Sequence, residues 1–175
     1  VLPLLADRLR PLADAMVDDG VCAAYEIVAV DDGSTDGTAA VALAAGAEVY
    51  VMPQNGGKGG AMRAGVARAL ASGSGAVAFF DADLRGLRAD HVERLTGPVD
   101  RGEAVMVCGL RDHGRVQNAL QVAMPPITGE RCVAVSALRR VPDEFWQGFR
   151  IEAALNVAAA REGCVLLTVL DGLGI

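Results

Sequence analysis

Two aspartates one residue apart, Asp81 and Asp83, follow an apolar run, Ala76-Val77-Ala78-Phe79-Phe80. Carboxylates this close repel unless a cation joins them, and a hard divalent ion bound through carboxylate and phosphate oxygens is a common answer. If the run continues as a strand, alternate positions share a face and the two side chains converge. A D-x-D pair alone equally describes a polar strand end that caps the next element. A second acidic pair, Asp31-Asp32, closes another apolar run and opens the turn DDGSTD. Ser34 or Asp36 suits the capping of the following helix, which leaves Asp32 to accept hydrogen bonds from a base or ribose and gives Asp31 the local role. A third segment, QNGGKGG over 54–60, lets backbone approach a ligand and opens a helix whose N-terminus favours an anion. It lacks the Ser or Thr and the glycine spacing of a Walker loop, and its plain alternative is a flexible connector. Lys58, inside it, is the single lysine beside fifteen arginines, which points to a compact ammonium wanted at that place.

Two more charges stand out. Glu152, one residue past the inward-facing Ile151, reads either as a solvated helix residue or as a group acting on a substrate. Arg115, in the loop RDHGR, reads as an anion contact or as surface charge, and His113 beside it reads as structural. These positions assemble no Ser-His-Asp set and no Cys/His metal cluster.

Stepping along the chain, apolar strands are expected at 26–30, 48–52 and 76–80, alternating with helices at 39–45 and 61–71. Gly46 fits a left-handed helix stop. Alternation of this kind implies parallel strands covered on both faces, with every carboxyl end along one edge and ligands in the crevice there. DDGSTD, QNGGKGG and Asp81-Ala82-Asp83 all follow strands and are therefore expected to face one crevice. The second half promises strands at 104–108 and 164–170, an apolar run at 132–135, a short helix at 116–124 broken by Pro125-Pro126, and a helix at 151–161. The opening 1–17 has apolar residues spaced for one helical face and no capping residue ahead of them, so the chain is expected to begin inside a longer protein.

Hydrophobic residues at 52% and charged residues at 22% describe one packed domain rather than a disordered chain. A net charge of −6 disfavours a nucleic-acid footprint but not a nucleotide, because one divalent ion reverses the sign locally. No apolar stretch approaches the ~20 residues of a membrane span, and no signal segment is seen. Cys22, Cys108, Cys132 and Cys164 are widely spaced and read as reduced core thiols of a cytoplasmic protein.

In this order and spacing, VDDGSTDGT, NGGKGGAM and FFDADL resemble the donor-binding half of family 2 glycosyltransferases. The resemblance implies an α/β fold of the GT-A (Rossmann-like) type, a mixed, mostly parallel sheet flanked by helices. It divides the single catalytic domain, 1–175, into a donor half at 1–100 and an acceptor half at 101–175. It also implies a UDP- or GDP-linked sugar donor and Mg²⁺ or Mn²⁺. By matching, Asp32 contacts the nucleoside, Gly57, Lys58 and Ala82 line the donor, and Asp83 is the chief metal ligand with Asp81 assisting. The second half is similar to glucosyl-3-phosphoglycerate synthases and their relatives through Gly114-Arg115-Val116, Thr128-Gly129-Glu130 and Gly148-Phe149-Arg150-Ile151-Glu152. This similarity implies that Arg115, Gly129 and Glu130 hold a phosphorylated acceptor, and that Glu152, with Asp81, acts at the donor sugar. Gln117 departs from the threonine of that pattern. The opening strand that grips the base, and a histidine that completes the metal site, are expected beyond Val1 and Ile175. A lipid-phosphate acceptor, a homodimer and either stereochemical outcome stay open, as does an Asp81-nucleophile phosphatase from another enzyme class.

Overall fold

The computed structural model describes residues 10, 11, 13–18, 20, 22–112, 114 and 125–174. Residues 10–11 and 13–18 are helical. Then come β1 (Val28–Asp31), α1 (Thr38–Ala44), β2 (Glu48–Val51), α2 (Gly57–Ser72), β3 (Ala76–Phe79) and α3 (Ala89–Asp100). The second half adds β4 (Met106–Arg111), β5 (Arg131–Ala134), α4 (Val135–Leu138), a 3₁₀ turn (Asp143–Phe145), α5 (Arg150–Glu162) and β6 (Val165–Leu170). The alternation expected of the first half is present, and Gly46 is left-handed at the end of α1. The helix expected at 116–124 lies outside the described residues.

β1 and β2 pair in parallel as a two-stranded sheet. The other four strands lie in the order β3-β5-β4-β6, and β5 runs against its neighbours while β3, β4 and β6 share one direction. Period-two alternation sends side chains to opposite faces. Met106, Cys108 and Val133 enter a core with Trp146, Ile151, Leu155 and Ala158. Val107 and Cys132 enter a second core with Leu84, Leu87, Val92 and Leu95. The four-stranded sheet is thus buried on both sides, and its chemistry is confined to its edges. No described helix is long and apolar enough to cross a membrane.

Candidate functional site

Several chain segments meet beyond the ends of β1, β2 and β3, beside the start of β5 and the first turn of α5. Asp31, 6% exposed, accepts from the Ser34 amide at 2.7 Å and shapes the first turn. Asp32 reaches across to the glycine segment: its Oδ1 accepts from the Gly56 amide at 2.6 Å, and its carbonyl accepts from Asn55 Nδ2 at 3.0 Å. The expected capping by Ser34 or Asp36 is corrected in one respect. The residue preceding α1 is Gly37, with φ at +77, and Asp36 instead accepts from the Thr38 amide and hydroxyl.

The glycine segment is no connector. It forms the first turn of α2 from Gly57 onward. A Cβ on Gly59 would come within 2.7–2.9 Å of the Trp146 and Gln147 backbone, so only glycine lets the helix end lie on that loop. This contact carries Lys58 to α5. Lys58 Nζ stands 2.9 Å from Glu152 Oε1 and 3.4 Å from Asp81 Oδ1, with the Phe149 ring centroid at 5.9 Å. Burial alone would lower the lysine pKa, but Glu152 and Asp81 outweigh it and the net shift is upward.

Glu152 is 2% exposed, and its Oε2 is buried without a hydrogen-bond partner. Of its two readings the solvated one is therefore excluded. It lies in the first turn of α5, where a carboxylate is favoured by the helix dipole. An ionised buried oxygen with no donor is costly unless something supplies one.

β3 stops at Phe79, so strand alternation does not govern Asp81 and Asp83. They lie in a turn closed by the Leu84 amide on the Asp81 carbonyl at 3.4 Å. Asp81 faces Lys58, whereas Ala82 and Asp83 are exposed. Asp83 has no hydrogen-bond or ion-pair partner among the described residues. Because β5 is antiparallel, it is the start of this strand that reaches the same edge. Phe79 pairs with Arg131, and the register carried two residues on sets Gly129 opposite Asp81. A Cβ on Gly129 would overlap the Asp81 carboxylate, so glycine leaves room for that group. Glu130 sits behind the crevice at 1% exposure, accepting from Arg111 at 3.3 Å and from the Thr128 hydroxyl at 2.7 Å. Arg115 and His113 lie outside the described residues.

Sequence reasoning missed Arg131. It is fully buried and donates to the Thr128 carbonyl, the Glu152 carbonyl and Asn156 Oδ1. It ties the approach to β5 to the helix bearing Glu152. Its position opening an apolar run was the available signal. The oxygen donors at Asp81 and Asp83 suit Mg²⁺ or Mn²⁺. The exposed Asp83 carboxylate, without a hydrogen-bond or ion-pair partner among the described residues, fits such an ion, and Gly129 gives the Asp81 carboxylate its place beside it. A hollow of about 480 Å³ lined by Glu48, Tyr50 and Arg68 involves none of these residues. Its Arg68 is already paired with Glu48 and stacked on Tyr50.

The family model described as "Glycosyl transferase family 2" matches residues 7–144. The chain belongs to glycosyl transferase family 2. Glucosyl-3-phosphoglycerate synthase of Mycobacterium tuberculosis (strain H37Rv) is 36% identical over 109 residues, 58% of this chain and 30% of the relative. The same enzyme of Mycobacterium bovis matches equally. The match thus spans under a third of these relatives' length.

Two crystal structures of the M. tuberculosis enzyme show the GT-A fold shared with this chain. The complex with Mn²⁺, UDP-glucose and phosphoglyceric acid superposes with TM-score 0.70 and 25% identity, covering 93% of this chain and 66% of that one. The complex with Mg²⁺ and UDP gives 0.72 and 26%, covering 93% and 63%. Family membership leaves the phosphatase alternative without support.

Proposed function

We propose that this family 2 chain is the catalytic core of a metal-dependent hexosyltransferase. It takes its sugar from a nucleoside diphosphate donor, UDP-glucose in the first instance, and gives it to a small phosphorylated acid such as 3-phosphoglycerate. One observation carries the reading. The Lys58 ammonium joins Asp81 of the D-x-D turn to the buried Glu152, whose second oxygen lacks a donor. A sugar hydroxyl supplies that donor, and Lys58, on the other carboxylate oxygen, holds Glu152 in place to receive it.

Asp83 and Asp81 would hold Mg²⁺ or Mn²⁺, which when bound neutralises charge on the departing diphosphate. Asp32 fixes the glycine segment through the Gly56 amide, presenting Gly57 and Lys58 to the donor. Its remaining carboxylate oxygen faces the nucleoside in this reading. Glu130 serves the acceptor side indirectly, by holding Arg111 and Thr128, while Gly129 borders the acceptor and Arg115 keeps the acceptor role that the resemblance gives it. The relatives' complexes with UDP-glucose and phosphoglycerate support this choice of substrates.

Calorimetry with the full-length protein tests it. UDP-glucose is expected to bind with Mn²⁺ and not with EDTA, and Asp83→Ala should weaken binding about 100-fold or more, with 3-phosphoglycerate accepting the sugar. Unchanged donor affinity in Asp83→Ala would sink the metal assignment, and sugar transfer to a polyprenyl phosphate alone would overturn the acceptor.

A further inference from the structure

The D-x-D turn is held from its far side by a group of charges with no direct place at the donor. After Asp83 the chain buries Leu84 and Leu87, at 3% and 5% exposure. Between them it bridges to the segment that follows β6. The Arg85 amide donates to the Gly174 carbonyl at 2.9 Å, and the Gly174 amide returns to Arg85 at 3.0 Å. Gly86, with φ at +75, allows the approach, since a Cβ there would overlap the Gly172 carbonyl.

Arg88 closes this arrangement. Its Nε and Nη2 fork onto the two oxygens of Asp90 at 2.9 and 3.1 Å. Its Nη1 reaches the Asp171 carbonyl at 2.8 Å, and Nη2 also reaches Asp171 Oδ2 at 3.0 Å. Arg94, one turn along α3, binds Asp90, Asp171 Oδ1 and the Val169 carbonyl. Two guanidiniums thus tie the start of α3 to the end of β6 through backbone as well as carboxylates.

Asp90, His91 and Asp171 place three possible metal-ligand atoms within 4.8 Å of one another. All four carboxylate oxygens already accept from Arg88 or Arg94, so arginine takes the part a cation would play. His91 lies buried beneath with neither ring nitrogen hydrogen-bonded. Burial first, and then Arg88, hold its pKa down, so a neutral ring sits under the arginines.

We propose that Arg88 is a positioning residue for the metal-bearing turn, acting by latching residues 84–88 to residues 171–174. An isolated exposed ion pair contributes little. Here the planar fork meets two carboxylates and a carbonyl at once, a geometry lysine cannot reproduce. The latch fixes the turn's exit, and with it the direction of Asp83. This rests on the proposed metal role of Asp83.

Two measurements on the full-length protein test it: amide hydrogen exchange at Arg85 and Gly174, and Mn²⁺ affinity in the presence of UDP. Arg88→Ala is expected to speed exchange at both amides and to weaken Mn²⁺ about 10-fold. Arg88→Lys should recover neither fully. Arg101→Ala, which removes a comparable exposed pair with Glu103, should change neither. Native Mn²⁺ affinity in Arg88→Ala overturns the proposal, as does equal weakening in Arg101→Ala. Comparison of unaltered protein with Asp83→Ala reads the metal assignment separately. Equal Mn²⁺ affinity in that pair refutes the assignment, and the latch's positioning role with it, whatever the exchange data show.

Discussion

Glu152 shows how much a single side chain depends on its neighbours. At 2% exposure its charge is tolerated because Lys58 lies 2.9 Å away. Replacing it by Gln keeps the shape and removes the charge, and Asp81 still partners the lysine. Glu152→Gln is therefore expected to lower kcat/KM about 100-fold, the scale of one lost electrostatic contact at a reacting centre, with Tm nearly unchanged. Steady-state kinetics and a melting curve check both halves. The pH dependence has a definite sign. Lys58 is raised above its ordinary 10.5, so the stability its charge contributes is fully present below that value and is lost only as pH rises through the higher one. No limb belonging to Lys58 should appear in a rate profile between about pH 6 and 9. The lysine was legible as the lone exception to arginine. The burial of Glu152 was not, because helix spacing put it beside the inward face and gave no sign that α2 would start against residues 146–147.

At the scale of elements, reversal of one strand decides what sequence could show. DDGSTD, QNGGKGG and Asp81-Ala82-Asp83 each follow a strand, and a parallel arrangement sends them to one edge without further information. Gly129 and Glu130 precede a strand. In a parallel strand they would lie at the opposite edge, and only the antiparallel pairing of β5 with β3 and β4 brings them to Asp81. Local pattern cannot report that direction, so their place came from resemblance alone. The same strand depends on Arg131, whose guanidinium satisfies the Thr128 and Glu152 carbonyls. Arg131→Met removes the guanidinium from the Thr128 carbonyl and Asn156 Oδ1 and is expected to cost about 3 kcal/mol. Urea denaturation measures this. A loss below about 1 kcal/mol would mean that water replaces the guanidinium readily.

For the molecule as a whole, the two-sided cover of the four-stranded sheet makes a graded prediction for its thiols. Cys164 is exposed, Cys22 is intermediate, and Cys108 and Cys132 are buried on opposite faces. Burial pushes the Cys132 thiol up to about 12, and the thiolate is the reactive form. An aromatic disulfide reagent should therefore modify Cys164 first and Cys22 more slowly, reaching the other two only on unfolding. Four equally fast thiols would contradict the packing of both cores. The four cysteines read from sequence as core thiols thus divide, with Cys164 just ahead of β6 rather than inside it.

Arg111, at the end of β4, and Glu130, at the start of β5, are joined side chain to side chain at 3.3 Å, and the Gly109 amide donates to the Glu130 carbonyl at 2.8 Å. The chain between them therefore departs and returns through one closed gate. Lengthening a stretch whose ends are already pinned adds only about 0.6 kcal/mol of closure entropy for each doubling. Neither the strand register nor the Lys58 pairing has to change. In the proposed reading, one recipient molecule is exchanged for another by rewriting that single excursion, with Lys58, Glu152 and Asp81 left where they are.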